Sequence, residues 1–75
     1  MRGYVVVFEG DDTEGYSAYS PDLPGVVAAG DTRSETEQLM REAMVEHVRA
    51  LREDGHEVPE PSASTEVTVL DLPAA

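Results

Sequence analysis

Three groups of residues in this sequence have types and spacing that could support chemistry. The first is Asp11, Asp12 and Glu14, three carboxylates within four positions, which raises the question of a calcium loop. An EF-hand loop spreads its oxygen ligands over about 12 residues, ends on a bidentate Glu and is flanked by helices. Here strand-like runs flank a shorter acidic segment, and a solvated turn is the better reading. The second group is the pair Glu9 and Asp71. A right-handed crossover would bring them to the ends of neighbouring parallel strands, with Glu42 or Glu46 approaching from a helix. Converging carboxylates of that kind hold the two Mg²⁺ ions of some nucleases. The third group is His47 and His56 with the scattered serines. Neither His has a Cys or a second His at ligand spacing, and no G-x-S-x-G nucleophile elbow occurs.

Charge weighs against the nuclease. The 75 residues carry 16 Asp and Glu against five Arg and no Lys, a formal net charge of −11. Affinity for a phosphate backbone comes from cations that release its counterions, so a direct nucleic-acid partner is not expected. A strongly acidic surface instead attracts basic partners and keeps a small protein soluble. No catalytic, cofactor-binding or metal residue is assigned, no cofactor is expected, and the chain reads as a binding module and not an enzyme.

The elements that would position these groups follow from pattern. "MRGYVVVFE" is β-branched and aromatic and predicts a strand over about 2–9. "GDDTEG" is turn chemistry, and a second strand over 15–20 completes a hairpin. Pro21 and Pro24 frame the corner "PDLPG", because Pro fixes φ and cannot donate to a ladder. A third strand of small residues spans 25–30. Thr32 with Glu35, or Ser34 with Glu37, has the spacing of a capping box. A helix over about 33–54 follows, its apolar stripe formed by Leu39, Met40, Ala43, Met44, Val48 and Leu51 with His47 among them. Gly55 stops it, "HEVPEPSAS" is a linker, and a fourth strand is expected over 66–72. The order is β-β-β-α-β in a single domain, residues 1–75.

The first strand is apolar on both faces: Tyr4, Val6 and Phe8 point one way, Val5 and Val7 the other. One helix is about 10 Å across, while four strands spaced about 4.8 Å apart are nearly twice as wide. The helix covers one face, and a sheet wetted on the other should alternate apolar and polar residues. This one does not, so a second copy of the chain is expected on the remaining face or edge, making a homodimer or higher homo-oligomer. The longest apolar run near the N-terminus is five residues, Tyr4 to Phe8, too short for a signal peptide or a membrane span. A cytoplasmic protein is expected.

"GYSAYSPDLPGVVAAGDT" followed by "RSETEQLMREAMVEHVRALREDGHEVPEP" resembles the HicB antitoxin family, the acidic half of a bacterial toxin–antitoxin pair. The corner at Pro21 to Gly25, the "GDT" helix start at Gly30 to Thr32 and the "LREDGHEVPEP" helix exit at Leu51 to Pro61 carry the resemblance. It implies an α+β, partial RNase H-like fold with antiparallel hairpins, one long helix on one face and the fourth strand beside the first. It also implies a function. HicB proteins bind and neutralise HicA, a small basic RNA-cleaving toxin, and the acidity of this chain fits such a partner. The sequence resembles the short, single-domain form of the family, without the C-terminal DNA-binding domain that many members carry. On this reading Tyr19, Ser20, Pro21, Asp22, Leu23 and Pro24 form the partner-binding segment, although the same residues could serve only to make the corner. The alternative function is an orphan, homo-oligomeric HicB-like domain without a toxin; a Mg²⁺-dependent nuclease using Glu9 and Asp71 is the third.

Overall fold

The computed structural model describes residues 3–66, 68, 70, 72 and 73. Three antiparallel strands, β1 (Val7–Asp11), β2 (Gly15–Tyr19) and β3 (Val27–Gly30), are followed by one helix, α1 (Arg33–Glu53). The sheet order is β1-β2-β3, so each strand lies beside its sequence neighbour, as expected for consecutive hairpins.

The first hairpin closes through Asp11, whose Oδ1 accepts from the Thr13 amide at 2.9 Å and the Glu14 amide at 2.8 Å. This local bonding is why Asp favours such turns. Gly10 sits at φ 126°, and a Cβ there would lie 2.1 Å from the Gly15 carbonyl oxygen. Backbone cannot yield as a flexible side chain does. Gly10→Ala is expected to destabilise the fold by about 2 kcal/mol or more, checked by urea denaturation; an unchanged midpoint would mean the hairpin adopts another turn.

Residues 3–6, expected in the first strand, lie outside it, and the strand instead runs on to Asp11. The ladder begins at Val7 opposite Tyr19 because the partner chain turns away after β2. Leu23 donates its amide to the Ser20 carbonyl at 3.3 Å, and Val26 donates to the Leu23 carbonyl at 3.2 Å, closing the "PDLPG" corner in two successive turns. Gly25 takes φ 87° there, which shortens β3 to begin at Val27.

Thr32 caps α1, its Oγ1 accepting from the Glu35 amide at 3.1 Å. Glu35 reaches back one residue further than a standard box, accepting from the Asp31 amide at 3.3 Å. At the other end His56 donates its amide to Leu51 and Gly55 to Arg52, at 2.8 and 3.1 Å. With Gly55 at φ 75° this is a Schellman stop.

One row of the sheet's inner face is Phe8, Ala18 and Ala28, aligned across the three strands. It meets Leu23, Val26 and Met40, which with Ala18 form the buried core, while Tyr4, Val6, Ala43 and Met44 pack around it. The Arg33 guanidinium sits 4.0 Å from the centre of the Phe8 ring, a cation–π contact over the inner row. The helix lies over β3 and β2, not over β1. Of the expected helical stripe, Leu39 is exposed and Thr36 is buried in its place. The Thr36 hydroxyl donates to the Thr32 carbonyl at 2.8 Å, which removes the penalty of burying it.

The linker is docked. The Tyr4 hydroxyl donates to the Pro59 carbonyl at 2.5 Å, and Asp22 accepts from the Ser62 amide, the Ser62 hydroxyl and the Ala63 amide at 2.9–3.0 Å. The expected fourth strand, 66–72, falls in part on Val67, Val69 and Asp71, which lie outside the described residues. Glu66, Thr68, Leu70 and Leu72 are exposed and belong to no strand.

Candidate interaction surfaces

Strand alternation divides the two tyrosines of β2. Tyr16 faces the helix side and donates its hydroxyl to Asp12 at 3.0 Å. That bond, reinforced by burial and by the charges of Asp12 and Asp11, raises the Tyr16 phenol above its ordinary value. Tyr19 faces the other way. It is aligned with Val7 on β1 and Val27 on β3, so the helix-free face carries an apolar row across all three strands. Tyr19 is 44% exposed and Val27 is 67% exposed. The next row on this face is Glu9, Ser17 and Ala29, all exposed.

The six residues of the anticipated partner-binding segment separate in space. Ser20 and Leu23 are 3% and 0% exposed and serve the interior of the corner. Asp22 is committed to the linker. Its three bonds, the one from the Ala63 amide foremost, hold its carboxyl below the ordinary 3.8. Tyr19, Pro21 and Pro24 are exposed, Tyr19 in the middle of the apolar row and the two prolines in the corner that follows it. The surface available to a partner is therefore the row with the edge of the corner, not the corner as a whole. Val27 lies outside the anticipated partner-binding segment. Its signal was the strand period itself, which sets every second residue of "VVAAG" outward.

The depressed Asp22 value has a pH consequence. A carboxylate stabilised in the folded state contributes above its unfolded pKa, and the contribution disappears as pH falls through the folded one. The Ser62 and Ala63 amide resonances should therefore move together in acid, with a midpoint below 3.8, and Asp22→Ala should abolish the transition. A midpoint at or above 3.8 would show that the linker is not held by this carboxylate.

Among the described residues the groups considered for catalysis do not assemble. The acidic turn spends Asp11 on backbone amides and Asp12 on Tyr16. Glu9 is exposed on the helix-free face, and Asp71 lies outside the described residues. His47 is half-buried on the helix and His56 is exposed beyond it. Among the described residues no three His, Asp or Glu side chains are placed to hold a metal ion. No described helix is long and apolar enough to cross a membrane.

A second surface is a groove of about 840 Å³ between the start of β1 and the helix. Tyr4, Val6, Phe8, Met40, Met44 and Val48 line its apolar floor. It is open because the helix is seated over β2 and β3.

Comparison with known proteins decides the family. The family model for the HicB-like antitoxin of bacterial toxin–antitoxin systems matches residues 4–72. The chain belongs to the HicB-like antitoxin family. It is 38% identical over 72 residues to Antitoxin HicB 2 of Photorhabdus laumondii, a match covering 96% of this chain and 50% of that protein. An uncharacterised 14.9 kDa protein of Haemophilus phage HP1 is 41% identical over 46 residues, covering 61% of this chain and 35% of the phage protein. The chain thus spans no more than half the length of these relatives. The crystal structure of the N-terminal domain of Burkholderia pseudomallei antitoxin HicB superposes with a TM-score of 0.67 at 38% identity, covering 80% of this chain and 69% of that one. The α+β architecture is accordingly that of the HicB N-terminal domain.

Proposed function

We propose that this HicB-like chain is the antitoxin of a type II toxin–antitoxin pair. It acts in the cytoplasm by binding a small basic HicA-type RNA-cleaving toxin, and not by catalysis. The carrying observation is the apolar row Val7–Tyr19–Val27, with Tyr19 and Val27 exposed, on the helix-free face of a chain with net charge −11. Large aromatic and aliphatic side chains at the centre of an interface supply affinity, and surrounding charge of opposite sign supplies speed and partner choice. Tyr19, in the middle of that row, and Pro21 and Pro24, in the corner that follows it, are the segment residues proposed to touch the toxin.

The test is titration of this protein into a basic HicA-type toxin, at about 50 and 500 mM salt. Tight binding with association slowed at least about tenfold at the higher salt is expected, since the Debye length shrinks several-fold over that range. Binding indifferent to salt would remove the electrostatic half of the proposal, and no binding would remove the whole of it. The second reading is a homo-oligomeric HicB-like domain without a toxin. The same exposed row favours it, because a second copy would also cover Tyr19 and Val27. Light scattering of the chain with and without a basic HicA-type toxin separates the two.

A further inference from the structure

The helix-free face is charged on one side of its apolar row only. From Val7, Tyr19 and Val27 toward the β1–β2 turn, the next row is Glu9, Ser17 and Ala29, all exposed. Two residues along a strand set these rows about 7 Å apart. In the other direction lies the corner, whose charged residue, Asp22, is committed to the linker.

Glu9 differs from most of the acids around it. Asp11 is held by the amides of Thr13 and Glu14, Asp12 accepts from Tyr16, Glu37 pairs with Arg33 and Arg41, and Glu46 pairs with Arg49. Glu9 has no hydrogen-bond or ion-pair partner among the described residues. Its cross-strand neighbour is Ser17, with Ala29 beyond. Neither side chain is long enough to shield the carboxylate from a molecule laid on the face. A shallow hollow of about 340 Å³ opens beside Glu9, lined also by Asp11, Glu14 and Gly15 and by no base.

The arginines indicate which partner fits. All four that are described, Arg33, Arg41, Arg49 and Arg52, are on α1, across the sheet from this face. A second copy laid face to face would therefore bring Glu9 no base, whereas a basic protein would. Resting on the toxin-binding reading, we propose that Glu9 fixes the orientation of the toxin. It receives a Lys or Arg that stands about 7 Å from the apolar centre of the toxin's contact patch, on the side turned toward the β1–β2 hairpin. Covering Tyr19 and Val27 removes water from beside that pair, so its attraction is screened less than between exposed charges. Complementary charge placed off-centre favours one orientation and opposes the reverse.

The test compares Glu9→Arg with Glu42→Arg, which change the net charge equally. Glu42 is exposed on α1, away from the face. Calorimetric titration into a basic HicA-type toxin should show binding weakened about 30-fold or more by Glu9→Arg, because like charges would then meet. Glu42→Arg should weaken it no more than about threefold. Circular dichroism of the helix should be retained in both. If Glu9→Arg disturbs folding, Glu9→Gln against Glu42→Gln makes the same comparison, with about fivefold expected against less than about twofold. Equal effects at the two positions would overturn the role of Glu9 while leaving toxin binding in place. No binding by the natural chain would remove the toxin-binding reading and the role of Glu9 together. A natural-chain dimer that Glu9→Arg tightens or breaks, seen by light scattering, would give the face to a second copy and also overturn it.

Discussion

Leu23→Ala is expected to remove most of the stability of this protein. Leu23 is fully buried, one of four buried hydrophobic residues among those described, with Ala18, Val26 and Met40. Truncating a buried Leu to Ala costs about 2–5 kcal/mol, the cavity included. A single core in a chain this short supplies only about 3–5 kcal/mol in all. With no cysteine and so no disulfide to compensate, a loss of about 3 kcal/mol corresponds to a fall in Tm of roughly 12–24 °C for a domain of this size. Thermal unfolding by circular dichroism measures it. The control is Leu39→Ala: Leu39 belongs to the same apparent helical stripe but is 40% exposed, so a change within about 0.5 kcal/mol is expected. Equal effects at the two positions would mean that the corner does not close over the core. Because association with a second copy would add stability with concentration, the comparison is made at one protein concentration.

The contrast between these leucines also marks what the sequence could reveal. Helical periodicity places residues on a face to within about a turn. It could not decide whether the centre of that face was Leu39 or the polar Thr36, because a threonine that bonds back to its own helix buries without penalty. Thr32 and Gly55 were legible as helix ends because capping chemistry is local. So was the division of Tyr16 from Tyr19, since it follows from the two-residue period, whereas Tyr4, Val5 and Val6 of the expected two-faced strand lie ahead of β1. The corner was legible as a turn but not in its direction. Pro21 and Pro24 fix where the chain bends, whereas the inward aim of Ser20 and Leu23 depends on what the helix leaves uncovered. The docking of the linker was beyond any local pattern: Asp22 and Ser62 are 40 positions apart, and a carboxylate in a turn ordinarily bonds its own neighbours, as Asp11 does. The family resemblance carried the architecture, and the structure added which parts of the quoted segment face a partner.

The most decisive expected result concerns that surface. Changing Tyr19 and Val27 together to Asp should weaken toxin binding by about 100-fold or more, measured by calorimetry, with a parallel loss of protection against toxin cleavage of RNA. The two side chains are exposed in the free chain, so their replacement should leave folding nearly intact. In a complex each would bury apolar area worth about 1.5–3 kcal/mol, and every 1.4 kcal/mol is tenfold in affinity. The choice of Asp separates two causes. The double change adds two negative charges to a net charge of −11, so if attraction to a basic toxin were the whole of binding, affinity would hold or rise. Only if the apolar row is pressed against the toxin do the buried charges work against the complex, because a carboxylate without a partner cannot be desolvated cheaply. Tyr19→Phe with Val27→Ile, which keeps the row apolar, should stay within about threefold of the natural chain. Tighter binding by the Asp variant would leave charge as the sole driving force and move the toxin site off the helix-free face.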